Sequence, residues 1–512
     1  MSSIKKLAGE TVWYGVSSIV AKFMVQLLTP YLTAKFKGTP EFGEMSLVYS
    51  ATSFINIAVL FGLDYAYFRY INKKDVQGSA DLYPTLLISL ISSTTLITTL
   101  IILFHVPIAR VLDVANHPVY IILSALIIAF DALSTLPFAR LRHEGRPRKY
   151  AFVRLSGIFV YIVLVFFFLS VCPRLLKTHP NSIVALIYQP RFGYVFYILL
   201  ANVIQNAFQL LLLSPFLRVG RWTFNVPLWR EVMVYALPLT IAGLGGMINE
   251  TFDRIMLDWR LPHGNNGSYA LYQVGIYSAC YRLSLLITVF VQAFRMGAEP
   301  FFFRQSAEES AQRTYARVLK FFVILLCGIF MFVMMYIDVL KYFIQDPSMW
   351  AGLKVVPILL FANMFLGIYY NLSIWYKVST STRPGAYITL IGAAITLVIN
   401  YVFIPSFSYM ASAWATFLCY GSMMVISFVW GQKVYPVPYA WKKLVAYMVI
   451  VLLLWLVDIG LTRLWDNLVY RLAVGTVLMA AFAVFILRVE RREFRRLPVI
   501  GKYLGGRPPA AA

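Results

Sequence analysis

The stretch EFGEMSLVYSATSFINIAVLFGLDYAY, residues 41–67, decides how this chain folds. Between residues 42 and 67 it carries only two charged residues, Glu44 and Asp64. A helix crosses a bilayer with about 20 mostly apolar residues, so the stretch reads as a membrane span. Runs of the same kind recur to the end of the chain. The 512 residues are 60% hydrophobic and 13% charged, against roughly 45–50% and 25% in soluble domains. A soluble protein could not cover that much apolar surface, and a disordered chain would be poor in these residues. Fourteen spans are predicted, near 11–34, 42–67, 82–105, 117–139, 150–172, 193–217, 229–251, 269–292, 316–337, 352–376, 385–404, 408–430, 444–461 and 467–487. Long continuous runs exclude the alternating pattern of barrel strands, and the short connections leave no room for a soluble domain. Lys5 and Lys6 precede the first run as in a signal peptide, but that run exceeds an h-region of 7–15 residues and lacks a small-residue cleavage site. It is expected to be a transmembrane helix.

Forty-five Lys and Arg against 22 Asp and Glu give a net charge of +23. With the N-terminus placed in the cytoplasm, 30 of the cations fall on cytoplasmic segments and 12 on outer ones. By the positive-inside rule both termini are cytoplasmic. The tail (Arg488, Arg491, Arg492, Arg495, Arg496) is an orientation anchor on an anionic leaflet rather than a nucleic-acid footprint. The remaining three cations, Lys22, Arg154 and Arg282, lie within spans.

The opening stretch has a counterpart. At an offset of 232 residues, EFGEMSLVYSATSF (41–54) aligns with QVGIYSACYRLSLL (273–286), matching Gly43 with Gly275, Ser46 with Ser278 and Tyr49 with Tyr281. Both segments are the second helix of a six-helix unit entering from the same side, which implies a parallel repeat about an axis along the membrane normal. The expected fold is an all-α polytopic membrane protein, with about 14 transmembrane helices in two six-helix lobes related by a parallel pseudo-twofold, plus two C-terminal helices. The divisions are 1–222 (helices 1–6), 223–436 (helices 7–12) and 437–512 (helices 13–14 and the basic tail). Transporters built this way hold substrate between the lobes and alternate access by rocking.

The segment N-x3-DRIML (Asn249, Asp253, Arg254), G-x-Y-S-A (Gly275 to Ala279) and AF-R-x-G-A-E-P-F-F (Ala293 to Phe302) resembles the polysaccharide-exporter branch of the multidrug/oligosaccharidyl-lipid/polysaccharide exporter superfamily. So do TVWYGVSSIVAKF near the N-terminus and FGEMSLVYS with FGLDYAYFR. The resemblance implies a flippase that moves an undecaprenyl-pyrophosphate-linked oligosaccharide repeat unit to the outer leaflet of the bacterial cytoplasmic membrane. It also implies membrane lipids, a polysaccharide polymerase and glycosyltransferases as partners, and no nucleic acid.

Lys22 is central in the first span, and Ser18, Lys22, Gln26 and Thr29 share one helical face. A charge at mid-bilayer costs about 3 kcal/mol on insertion scales, so Lys22 and Arg282 are expected to face a polar cavity that receives the pyrophosphate, with Gln26 beside them. Arg can engage phosphate oxygens in pairs, and Lys supplies a point charge. Pairing with an acid such as Asp131, or snorkelling, is the alternative. Arg154, near a cytoplasmic end, is expected to snorkel. Asn202, Gln205, Asn206 and Gln209 form an amide stripe on the sixth span, suited equally to sugar hydroxyls or to joining helices. Asn56, Asn363, Asn371 and Asn400 are expected to be packing contacts. Coupling to a Na⁺ or H⁺ gradient needs a carboxylate, and Asp131, Asp64, Glu250 and Asp253 are candidates, Asp131 lying deepest. For Glu250 and Asp253 the simpler expectation is a solvated loop edge with a Glu250–Arg254 pair. Gly243, Gly245 and Gly246 lack the spacing of a nucleotide loop. The four cysteines are scattered and no metal cluster, Walker motif or triad is visible, so no enzyme activity, metal or cofactor is expected; coupling to an ion gradient or the membrane potential is. The alternatives that stay open are a cation-coupled multidrug exporter of the same superfamily, a cell-wall precursor flippase, and a membrane-embedded glycosyltransferase, which the short outer loops disfavour.

Overall fold

The structure, a computed structural model, describes residues 15–36, 40–71, 81–180, 184–262, 268–305, 308, 310–378, 383–464 and 467–494. Among the described residues all regular structure is helical. Fourteen helices are long and apolar enough to cross a membrane: α1 (Gly15–Phe36), α2 (Pro40–Ile71), α3 (Leu82–Leu103), α4 (Val119–His143), α5 (Pro147–Thr178), α6 (Val184–Leu217), α7 (Val226–Arg260), α8 (Tyr269–Met296), α9 (Ala311–Met335), α10 (Pro347–Lys377), α11 (Arg383–Phe407), α12 (Tyr409–Val434), α13 (Trp441–Thr462) and α14 (Leu468–Val489). Each corresponds to one predicted span. Of the cations used for orientation, Lys5, Lys6, Lys37, Lys73, Lys74, Arg495, Arg496, Lys502 and Arg507 lie outside the described residues.

By its contacts the chain forms two compact units, Met1–Arg304 with Ile344–Val434 and Gln305–Phe343 with Tyr435–Ala512. The second unit holds α9, α13 and α14, each packed against the other two. Ion pairs pin it at both ends. Glu490, just beyond α14, is 3% exposed. It accepts from Lys320 Nζ of α9 at 2.7 Å, Tyr447 OH of α13 at 2.6 Å and Lys443 Nζ at 3.2 Å. Burial alone would push this carboxyl up, but those three donors outweigh it and hold it below its ordinary value. At the other end Asp338 bridges Lys341 at 2.9 Å and Arg471 at 3.1 Å.

In the first unit the helix ends follow local chemistry. α7 starts where the Asn225 side chain accepts from Leu228 N at 3.1 Å, with a proline in its first turn. This satisfies one of the orphan donors of a helix N-terminus. α2 breaks at Phe61 and Gly62, both at positive φ, and Asp64 then accepts backbone N–H bonds at the start of the second segment. Asp64 thus sits in the first turn of the second segment of α2. α7 runs nine residues further than hydropathy indicates, because its charges are internal. Asp253 is 1% exposed; it accepts from Arg254 at 2.9 Å and from Tyr277 OH of α8 at 2.6 Å.

Two seams join the helices around the centre of this unit. α2 lies against α7, with Phe54 and Phe252 ring centroids 5.5 Å apart. α1 lies against α8 through the polar face expected for α1: Lys22 Nζ donates to Gln292 at 2.7 Å, Gln26 to the Arg282 carbonyl at 2.8 Å, and Arg282 to Thr29 Oγ1 at 2.9 Å. A repeat relating α1 to α7 and α2 to α8 exchanges these two seams. It maps the α2–α8 crossing onto itself, and there Gly43 and Gly275 meet backbone to backbone. Elsewhere amides join helices as expected. Asn249 takes a bond from Thr396 of α11 at 3.3 Å, and its carbonyl takes one from Tyr420 of α12 at 3.2 Å. Asn363 accepts from Thr288 and Asn400 accepts from Ser412, whereas Asn371 donates to the Gly367 carbonyl one turn back in its own helix. Such interhelical bonds contribute about 0.6 kcal/mol each in membranes.

Candidate functional site

Below the Gly43–Gly275 crossing lies a cavity of about 540 Å³, walled by α1, α2, α4, α5, α6, α7 and α8. Its α2 wall is a helical stripe of small polar groups: Ser46, Tyr49, Ser50, Ser53 and Asn56, spaced i, i+3, i+4, i+7 and i+10. Position along a helix alone puts these five on one face. Opposite stand the cations Arg154 of α5, Arg254 of α7 and Arg282 of α8, with the carboxylates Asp131 of α4 and Glu250 of α7.

The three arginines are held differently. Arg254 is 9% exposed; it is paired with Asp253, donates to the Glu250 carbonyl at 3.0 Å and lies 4.5 Å from the Tyr281 ring centroid. Arg282 bonds Thr29 and stacks on Phe42 at 5.3 Å. Arg154 stacks on Phe138 at 5.6 Å. Neither Arg282 nor Arg154 forms an ion pair with a described residue. Cations that have lost bulk water and lack a counter-ion attract an anion strongly. At one end of the cavity Tyr49 is hydrogen-bonded to Tyr161 and takes a bond from Asn202 at 3.1 Å. Asp131 accepts from Asn56 at 2.7 Å, so its partner is an amide and not Lys22 or Arg282.

Several sequence expectations change here. Lys22 is absent from the cavity wall. It is exposed at the α1–α8 seam, where it donates to Gln292 of α8 at 2.7 Å. Gln26 shares that seam. Arg154 lines the cavity, since α5 turns its residue 154 toward α4 and α6 and not toward the membrane surface. Asn56 lines the cavity too and is more than a packing contact. The amide stripe of α6 divides. Asn202, Gln205 and Asn206 reach the lining, with Asn206 also donating to the Ile127 carbonyl at 3.3 Å. Gln209 is 1% exposed and packs on Gly157 and the Arg154 carbonyl. Neither Glu250 nor Asp253 is at a loop edge: Arg254 pairs with Asp253, and Glu250 opens into the cavity. The α2 stripe was missed although its period was present in the sequence, because its members are small, common in membrane helices and individually uninformative.

This architecture recurs in solved transporters. The lipid II flippase MurJ in an inward closed conformation is 14% identical, with a TM-score of 0.64, over 92% of this chain and 99% of that one. An inward-facing multidrug resistance MATE family transporter of the MOP superfamily is 14% identical, with a TM-score of 0.56, over 86% and 94%. An outward-facing one is 13% identical, with a TM-score of 0.54, over 86% and 96%. No curated protein sequence matches. At such identities the likeness is one of fold: the many-helix architecture is shared with these transporters. Residues 8–306 match the pattern of a family described as polysaccharide biosynthesis protein, and the chain belongs to that family.

Proposed function

We propose that the protein is a flippase for a lipid-linked oligosaccharide, carried on undecaprenyl pyrophosphate, working by alternating access in the bacterial cytoplasmic membrane with both termini in the cytoplasm. The observation that carries this reading is the division of the cavity. Two arginines without ion-pair partners among the described residues, Arg154 and Arg282, face a wall of hydroxyls and amides from α2 and α6. A diphosphate diester needs the first and a sugar needs the second. Family membership and the fold likeness to a lipid II flippase support the same class of substrate. The proposed partners are the lipid-linked sugar, membrane lipids, and the polymerase and glycosyltransferases that would consume and make it. No cofactor is needed in this scheme; an ion gradient or the membrane potential drives the cycle.

A second reading, a cation-coupled drug exporter, is favoured by Asp131 and Glu250 in the same cavity. Purified protein in proteoliposomes separates the readings. Translocation of a labelled lipid-linked oligosaccharide, and not of a cationic dye, is the expected result. Movement of the dye alone would refute the proposal, and movement of lipid II alone would reassign the protein to cell-wall precursor transport.

A further inference from the structure

Behind the α2–α7 seam lies a second pocket, of about 450 Å³, and every residue that lines it is apolar or aromatic. α2 contributes Ala51, Phe54 and Ile55, and α7 contributes Phe252, Ile255 and Trp259. The short helix His105–Val111, between α3 and α4, supplies a third wall through Pro107, Ile108 and Val111. The Trp259 indole N–H donates to the Val111 carbonyl at 3.0 Å. That bond fastens the short helix to α7 and satisfies the single polar side-chain atom of the lining. Trp259 and Val111 are themselves exposed, so the pocket is an open groove and not a sealed void.

The same two helices wall the polar cavity with their other faces. On α2, Ser46, Ser50 and Ser53 line the cavity while Ala51, Phe54 and Ile55 line the groove. On α7, Glu250 and Arg254 line the cavity while Phe252, Ile255 and Trp259 line the groove. At 3.6 residues per turn these sets fall on different sides of each helix. A partition one helix thick therefore separates a polar chamber from an apolar groove. Its seam is closed by rings: Phe54 lies 5.5 Å from Phe252, and Phe252 lies 6.0 Å from Trp259, centroid to centroid.

We propose that the groove holds the polyisoprenoid chain of the ligand whose diphosphate and sugars enter the cavity, the link between them running through the α2–α7 seam. The proposal rests on the flippase reading above, and the topology given there turns this end of α2 and α7 toward the outer leaflet. Membrane lipid is as apolar as the groove, so apolarity alone selects no occupant. Tethering does. A chain attached to a head bound in the cavity meets the groove at a high effective concentration, which a free phospholipid does not. The three rings then offer a methyl-branched chain many close dispersion contacts.

The test uses two diphosphate diesters with the same methyl ester on one phosphate. The other phosphate carries an undecaprenyl chain in one probe and a single dimethylallyl unit in the other. Binding of each is measured to the purified full-length protein in lipid nanodiscs. Ile55→Trp and Ile108→Trp fill the groove from two sides, and each should weaken the long-chain probe by about fivefold or more, the lower end of what overpacking costs. Both should leave the short-chain probe unchanged. Excess short-chain probe should displace the long-chain one, because the two share the cavity. Val398→Trp adds the same ring on the exposed face of α11, outside both linings, and should change neither. Unchanged long-chain binding in both groove variants overturns the proposal and leaves the flippase reading intact. So does an equal loss for both probes, an equal loss in Val398→Trp, or a failure of displacement. An octadecyl probe that binds as tightly and loses as much would make the groove a general acyl-chain site and overturn the isoprenoid assignment. Wild-type protein that binds neither diester would overturn the diphosphate reading and the groove's occupant with it.

Discussion

If the α2–α8 crossing closes one end of the cavity, adding one methyl group at Gly43 should open it. A Cβ there would fall 1.8 Å from the Leu271 carbonyl oxygen and 2.7 Å from its carbon. Both are backbone atoms, so no side chain can rotate away, and the helices must part by more than an ångström. Overpacking of this kind costs about 1–3 kcal/mol, and it is charged only to the state in which the crossing is closed. The closed-to-open ratio should therefore fall by about 5- to 150-fold. Ser278 lines the cavity one turn below Gly275, so a Ser278→Cys reporter reads the opening through its rate of labelling by a membrane-impermeant maleimide. The four native cysteines are buried and form a quiet background. Gly275→Ala is the internal control, since its Cβ would meet the nearest atom, Gly43 N, at 3.3 Å. That contact is tight but far less severe. Labelling at the wild-type rate in Gly43→Ala, or an equal effect from Gly275→Ala, would refute the assignment of this crossing as a seal.

Other expectations follow from the same geometry. Arg282→Ala should weaken binding of a diphosphate diester by about 10- to 150-fold, the range of one charge-assisted hydrogen bond, with membrane insertion unchanged on fractionation. Asp253→Asn leaves Arg254 charged and buried without its partner, so stability should drop by about 3–5 kcal/mol in thermal unfolding of the detergent-solubilised protein. Glu490, held below its ordinary value of 4.5, stabilises its unit fully above that pH and loses the contribution as pH falls through the lowered folded value. Melting temperatures measured from about pH 6 down to 3 should fall in that window, and Lys320→Met should shrink the fall.

The spans were legible because hydropathy is additive along a helix, and a run such as Leu82–Leu103 has one reading. The end of α7 was not, because hydropathy treats Asp253 and Arg254 as two exposed charges. In the fold they cancel each other, and Tyr277 completes the set from 24 residues away. Arg282 was found because a lone deep cation on an apolar helix has few structural explanations. Lys22 met the same criterion and landed on a seam with Gln292 of α8, a partner that its own helix does not reveal. The α2 stripe shows the opposite case. Its period was on the page, but serines and a tyrosine acquire meaning only when Arg254 and Arg282 are seen facing them.

The second unit is stitched from chain segments far apart in synthesis. α9 is complete at Met335, yet its partners begin at Trp441, roughly a hundred residues later. At about 5–20 residues per second, α9 waits about 5–20 s before α13 even begins, with the face that α13 and α14 will cover still turned to lipid. A helix in that position has to be stable in hydrocarbon by itself. α9 carries the highest mean hydropathy of the fourteen spans, 2.7, and holds Lys320 back near its N-terminal end, where the charge can stay at the membrane surface until Glu490 emerges to meet it.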